Sequence, residues 1–198
     1  METVNINIEG RIYAVDKTLT VLEACRSVGY NIPTLCYFAH GQNSLASCRV
    51  CLVEIATNRG GKLFASCVYP VTDCQAENGF TIKISSPMAT QARRASVELL
   101  LSNHSKDCQT CNKNGHCELL EVAKLVGARD NMFTGEKTAV HVDTLAPGIG
   151  IDTSKCILCG RCIVRCKEAQ GISILGFEKR GFNTFVSPVG GRSFAKVP

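Results

Sequence analysis

Cys156-Ile157-Leu158-Cys159-Gly160-Arg161-Cys162-Ile163-Val164-Arg165-Cys166 sets a cysteine at every third position and adds a fourth after a gap of three. A C-x2-C-x2-C-x3-C run of this kind wraps a cubane of iron and sulfide. One short loop can present Cys156, Cys159 and Cys162 to separate irons. Gly160 permits the tight turn, and backbone N–H groups along the loop can donate to sulfur. Zinc knuckles come as separated C-x2-C pairs, so zinc fits this run poorly.

Two more sets lie N-terminal to it. His104, Cys108, Cys111 and Cys117 form an H-x3-C-x2-C-x5-C pattern. A zinc site of three cysteines and one histidine competes here with a histidine-ligated [4Fe–4S] cubane. Replacing one thiolate by imidazole makes such a cluster less negative and raises its potential, as histidine does in Rieske centres. Cys36, Cys48, Cys51 and Cys67 form a C-x11-C-x2-C-x15-C pattern. That spacing suits a [2Fe–2S] cluster, with a long loop carrying three ligands and a distant strand returning the fourth. Gly41, Ser44, Ala46 and Ser47 suit a backbone that hugs a small cluster; zinc stays the alternative on spacing alone.

The three sets take 11 of the 13 cysteines and leave Cys25 and Cys74. Composition agrees with metal rather than disulfides. The chain has 198 residues and a formal charge of +5, and 45% of it is hydrophobic, cysteines included. No stretch approaches the ~18–20 apolar residues that a bilayer requires. Residues 1–10 lack a basic-then-apolar export signal, so a cytoplasmic location is expected. In a reducing compartment an odd, large cysteine count points to metal.

Between the sets, Val4, Ile6 and Ile8 alternate with polar residues as in a half-buried strand. Glu9-Gly10 can turn the chain into a returning strand at 12–15. Thr20 and Glu23 fit a capping box, with Val21, Cys25 and Val28 on one helical face, and Gly29 and Pro33 stop that helix. Residues 50–56, 62–68 and 80–84 read as strands. Pro87 suits the first turn of a helix behind Ser85 or Ser86, with Met88, Ala92, Ala95 and Leu99 at helical spacing. That helix aims His104 at the cysteines that follow. Residues 118–126 read as a short helix with Leu119, Val122, Ala123 and Val126 on one face. Residues 127–150 read as a connector, and 172–177 as a strand. The fold class expected is α+β.

In this order the patterns resemble the iron–sulfur subunit shared by respiratory complex I, NAD-linked hydrogenases and NAD-linked formate dehydrogenases. The matching stretches are Ile32-Pro33-Thr34-Leu35-Cys36, Ser47-Cys48-Arg49-Val50-Cys51, Ala65-Ser66-Cys67, His104 to Cys117 with Glu118-Leu119, and Cys156 to Cys162. The resemblance covers essentially the whole chain. It implies a β-grasp [2Fe–2S] domain over 1–84 and a [4Fe–4S] domain with connector over 85–148, its cluster bound by one histidine and three cysteines. A ferredoxin-like [4Fe–4S] segment over 149–198 follows. Ser102-Asn103-His104 and Arg180-Gly181-Phe182-Asn183-Thr184 look most like the NAD(P)-linked hydrogenase branch, including the N-terminal part of multimeric [FeFe]-hydrogenase subunits and the diaphorase subunit of [NiFe] enzymes.

In two-cluster ferredoxin modules the fourth cysteine of a run serves the other cluster. Cys166 would then need a second run, which this sequence lacks; the resemblance implies that it lies beyond Pro198. The alternative is that Cys166 completes one cubane with Cys156, Cys159 and Cys162.

Cys25 reads as a core residue and Cys74 as an ordinary loop thiol. His40, His116 and His141 read as surface or loop histidines. Arg49, Arg161, Arg165 and Lys167 read as solvated charges that could also offset cluster charge or dock a partner. No G-x-G-x-x-G follows a strand, no P-loop or nucleophile motif occurs, and no catalytic residue is expected.

The function expected is a relay of single electrons between a flavin/NAD(P)-binding subunit and a second redox or hydrogenase subunit, or a soluble ferredoxin. The complex expected is an NAD(P)-linked hydrogenase, with an NAD-linked formate dehydrogenase or complex I as alternatives. A zinc-stabilised binding module is the rival of another class. Scattered basic residues and an aromatic content of 6% give it no stacking platform, so no nucleic-acid partner is expected.

Overall fold

The computed structural model describes residues 2–38, 45–130 and 132–196. Strand β1 (Thr3–Ile8) turns through Glu9 and Gly10, both at positive φ (50° and 87°), into the antiparallel β2 (Arg11–Asp16). The period of two holds: Ile6 and Ile8 are fully buried, and Val4 packs against the same core. Helix α1 (Val21–Ser27) begins at a complete capping box. The Glu23 N–H donates to Thr20 Oγ1 (3.3 Å), and the Thr20 N–H donates back to Glu23 Oε2 (2.9 Å). Val21, Leu22, Ala24 and Cys25 of this helix are completely buried.

β3 (Leu52–Thr57), β4 (Gly60–Ala65) and β5 (Thr81–Lys83) complete a mixed five-stranded sheet in the order β2-β1-β5-β3-β4. β1 and β5 run parallel at its centre, and the other pairings are antiparallel. β4 lies earlier than the 62–68 expected. Ser66 continues the register, its backbone N–H and hydroxyl both donating to the Cys51 carbonyl (3.3 and 2.7 Å), which sets Cys67 close to Cys51.

Helix α2 (Pro87–Asn103) is capped by Ser86, which accepts from the Ala89 N–H, and carries Pro87 in its first turn. Its inward face differs from the one expected. Met88 and Leu99 are exposed (39% and 55%), whereas Ala89, Arg93 and Val97 form the buried stripe. Arg93 occupies the middle of that stripe, so the apolar pattern pointed to the wrong side. Helix α3 (Glu118–Val126) matches its expected bounds and buries Leu119, Val122 and Ala123.

The connector expected over 127–150 contains a two-residue strand, β6 (Val142–Asp143), paired antiparallel to β7 (Ile151–Asp152). Helix α4 (Arg161–Glu168) is followed by the hairpin β8 (Leu175–Glu178) and β9 (Phe185–Pro188). The strand expected over 172–177 begins late because Gly171 and Ser173 hold left-handed φ values (67° and 56°). The architecture is α+β. Among the described residues, no helix is long and apolar enough to cross a membrane.

Two buried clusters organise the chain. The larger lies between α1 and the sheet. The smaller joins Leu35, Cys36, Cys48 and Val50 to Val97 of α2 and to Leu119, Val122 and Ala123 of α3, with Ile157 and Cys159 packed against it. Leu35 is 2% exposed at this junction. Leu35→Ala should therefore cost about 2–5 kcal/mol of stability, the range for buried leucine truncations, in urea unfolding of the purified chain.

Candidate metal centres

Cys36, Cys48, Cys51 and Cys67 are all buried, at 7%, 5%, 1% and 2% exposure. The structure brings all four together. Cys36 is in sulfur contact with Cys48 and Cys67, and Cys67 is also in contact with Cys51. Positive φ at Ala46 (44°) and Arg49 (54°) curls the loop inward, and the Val50 N–H donates to Cys48 Sγ (3.5 Å). Thiol hydrogen bonds from Cys48 and Cys67 push Cys36 far below the ordinary thiol range. The bond from Cys67 lowers Cys51 to about 6, with help from the Cys67 N–H and the Ser66 hydroxyl. The same bonds push Cys48 and Cys67, the thiol donors, well above the ordinary range, so the four sulfurs share protons as one linked set. His40, Gly41 and Ser44, assigned to this region by sequence, lie outside the described residues.

His104 caps the C-terminus of α2 and is half-buried. Its Nδ1 is buried with no hydrogen-bond partner. Burial lowers its pKa, and the charges of Lys155 and Lys137 lower it further, leaving a neutral imidazole with a lone pair to donate. Cys108 is exposed, while Cys111 and Cys117 are half-buried. The Lys113 N–H donates to Cys111 Sγ, and the Leu120 N–H to Cys117 Sγ, each at 3.4 Å. Cys117 is also the N-cap of α3, where the helix dipole favours a thiolate. Among the described residues, these four side chains make no hydrogen-bonded contact with one another.

Cys156 and Cys159 lie on the loop before α4, and Cys162 in its first turn. The three are close enough to interact electrostatically. Leu158 (φ 53°) and Gly160 (φ 73°) bend the loop, and the Leu158 N–H donates to Cys156 Sγ (3.4 Å). Cys166 lies one turn further along α4 and is buried at 9% exposure. Among the described residues, no three metal-binding side chains converge on a point suited to a single ion.

The third loop touches both of the others. Ser47 Oγ donates to the Cys159 carbonyl (3.4 Å), and the Arg165 guanidinium lies 5.8 Å from the Phe38 ring centre. On the other side, the Ser105 N–H donates to the Ser154 carbonyl (3.3 Å), and Arg161 pairs with Glu118 at 2.6 Å. A cavity of about 230 Å³ opens between residues flanking His104 and the loop, lined by Asn103, Ser105, Lys137, Thr153 and Cys156.

Cys25 is a core residue, as expected. Cys74 is not a loop thiol: it is completely buried in the same core and donates to the Val71 carbonyl (3.5 Å). Burial pushes both up to about 12. His116 is exposed, and His141 stacks on Phe185 at 3.8 Å. Sequence reasoning missed Arg93 and Ser66, both of which adjoin the first set. The dipeptide Ser66-Cys67 was visible, but its hydrogen bond to Cys51 depends on strand pairing.

The sequence matches the 2Fe-2S iron-sulfur cluster binding domain over residues 1–76 and the NADH-ubiquinone oxidoreductase-G iron-sulfur binding region over 93–131. It is 37% identical over 192 residues to the NADP-reducing hydrogenase subunit HndD of Solidesulfovibrio fructosivorans, covering 95% of this chain and 32% of that protein. It is 35% identical over 181 residues to the mitochondrial NADH dehydrogenase [ubiquinone] iron-sulfur protein 1 of Solanum tuberosum, covering 91% and 23%. The crystal structure of an NAD+-reducing [NiFe]-hydrogenase in the H2-reduced state superposes with a TM-score of 0.80 at 29% identity, covering 94% of this chain and 75% of that one.

Over nearly its whole length the chain is similar to an NADP-reducing hydrogenase subunit and to an iron–sulfur protein of NADH dehydrogenase. It spans a third or less of the length of these two curated relatives. The two matched models describe regions that bind [4Fe–4S] and [2Fe–2S] clusters.

Close packing of the cysteine loops makes Gly160 a sensitive position. A Cβ there would sit 2.3 Å from Leu45 Cδ1, and its φ is left-handed. Gly160→Ala should cost about 1–3 kcal/mol, the range for a strained left-handed residue, in urea unfolding of the purified chain. Gly127→Ala is the comparison: its φ is also left-handed, but nothing lies within 4 Å of the added Cβ. It should be the milder of the two.

Proposed function

We propose that this chain is an electron-relay module. Cys36, Cys48, Cys51 and Cys67 would hold a [2Fe–2S] cluster in a β-grasp domain over 1–84. His104, Cys108, Cys111 and Cys117 would hold a [4Fe–4S] cluster over 85–148. Cys156, Cys159 and Cys162 would hold a second cubane in a ferredoxin-like segment over 149–198. Cys166, one helical turn away, is proposed as a ligand of a neighbouring cluster rather than the fourth of this one.

The observation that carries the reading is the smaller buried cluster. Cys36 and Cys48 from the first set, Cys117 from the second and Cys159 from the third all border one apolar wall. Such clusters supply reversible one-electron chemistry. The protein's part is to hold them near one another, exclude water and stabilise their charge. Burial of the first set serves the second task. Backbone N–H groups aimed at Cys48, Cys111, Cys117 and Cys156 serve the third. The basic excess of the sequence offsets the negative charge of loaded clusters.

The unpartnered Nδ1 of His104 fits a metal-binding imidazole, because a buried ring nitrogen left unpaired is costly. The partners proposed are a flavin/NAD(P)-binding subunit and a second redox or hydrogenase subunit, in the cytoplasm, within an NAD(P)-linked hydrogenase complex. The likeness to the HndD subunit and to the NAD+-reducing hydrogenase supports that branch.

Anaerobic purification with iron, acid-labile sulfide and zinc analysis tests the reading. Iron and sulfide in comparable amounts are expected. A colourless protein with stoichiometric zinc and no sulfide would overturn it in favour of a zinc-stabilised module. In redox-titrated EPR, His104→Cys should retain a cubane signal with a lower midpoint potential. An unchanged potential for every cluster would reject His104 as a ligand.

A further inference from the structure

Arg93 occupies the middle of the buried stripe of α2 and is 7% exposed. Its Nε donates to the Leu52 carbonyl at 2.7 Å, immediately after Cys51 in the chain. Its Nη2 is buried with no partner. A guanidinium in this position is heavily desolvated, and one hydrogen bond to a neutral carbonyl does not compensate it.

The groups that hold Arg93 charged against burial are Cys51, Cys25 and Glu9. Cys25 is a poor counter-ion, a fully buried core thiol kept protonated by its own desolvation. Glu9 is a carboxylate anchored on the Ile84 and Ser85 N–H groups at 2.6 and 2.8 Å. Cys51 adjoins Leu52, whose carbonyl Arg93 binds, and it belongs to the sulfur-lined pocket of the first set. A purely structural donor to Leu52 would not need a full positive charge, nor leave Nη2 unpaired.

We propose that Arg93 is a positioning residue of the [2Fe–2S] site, a fixed cation behind Cys51 that favours the reduced, more negative state of the site and so raises its potential. The proposal rests on the reading of Cys36, Cys48, Cys51 and Cys67 as the ligand set. Arg93 enters from α2, an element outside the β-grasp domain, so the potential of that site depends on α2 being docked. A charge in a low-dielectric site acts more strongly than one in water, and burial shields it from salt.

The test is redox-titrated EPR of the full chain, purified anaerobically, in Arg93→Gln, Arg93→Lys and Arg94→Gln. Arg94 stands next to Arg93 on α2 but is half-buried and paired with Glu98 at 2.9 Å. Arg93→Gln should keep the [2Fe–2S] signal and lower its midpoint, changing the reduced-to-oxidised ratio at fixed potential about tenfold, ~59 mV for one electron. Arg93→Lys should recover most of the shift, and Arg94→Gln should leave the midpoint in place. An unchanged midpoint in Arg93→Gln, or an equal shift in Arg94→Gln, overturns the proposal.

Should Arg93→Gln fail to load a cluster, Arg93→Met fills the same space without charge and gives the same comparison. If both neutral variants fail to load while Arg93→Lys loads, Arg93 is needed for assembly and the tuning role is rejected. Failure of the ligand reading looks different: Cys51→Ala would then retain the full [2Fe–2S] signal, whatever Arg93 does.

Discussion

The structure depends on an apolar wall built from segments far apart in sequence. Leu35 and Val50 flank the first cysteine loop, Val97 comes from α2, and Leu119, Val122 and Ala123 come from α3. Loops rich in cysteine, glycine and polar residues bury little apolar surface of their own. This junction supplies what they lack, and Ile157 and Cys159 of the third loop pack on the same surface. Three candidate centres therefore share one support instead of standing as separate beads on a chain.

Around that support, the backbone does much of the electrostatic work. Left-handed residues at Ala46, Arg49 and Leu158 curl the loops so that N–H groups point inward. Val50, Lys113, Leu120 and Leu158 each place a donor on a cysteine sulfur. Such donors stabilise sulfur anions without adding a mobile charge. Side-chain cations come second, and they differ in kind. Arg161 is a partly exposed partner of Glu118, so screening limits its effect. Arg93 is buried, and its charge is felt locally.

Local signals in the sequence carried through where they depended on neighbouring residues. The Thr20–Glu23 capping box, the Glu9-Gly10 turn, Pro87 at the start of α2 and the bounds of α3 all appear in the structure. Signals that depended on partners across space did not. The β4 strand ends early because the chain turns after it, the Val68 N–H donating to the Ala65 carbonyl (3.2 Å). Cys74 lies in the core because the short 3-10 turn Val71–Cys74 folds back against β1, where Ile6 bridges to Gln75. The face of α2 was misjudged because its buried stripe contains an arginine, and hydrophobic periodicity cannot mark a buried cation.

The sequence by itself determined the three sets of candidate ligands and the α+β class, because metal-binding loops are encoded by spacing along a short stretch of chain. The tertiary structure alone decided which sulfurs come into contact and how the loops face one another. It also decided that Arg93 enters beside Cys51. Those outcomes follow from the docking of α2 and α3 on the sheet-bearing part of the chain, and docking is set by burial of apolar surface between segments far apart in sequence. No local pattern encodes it.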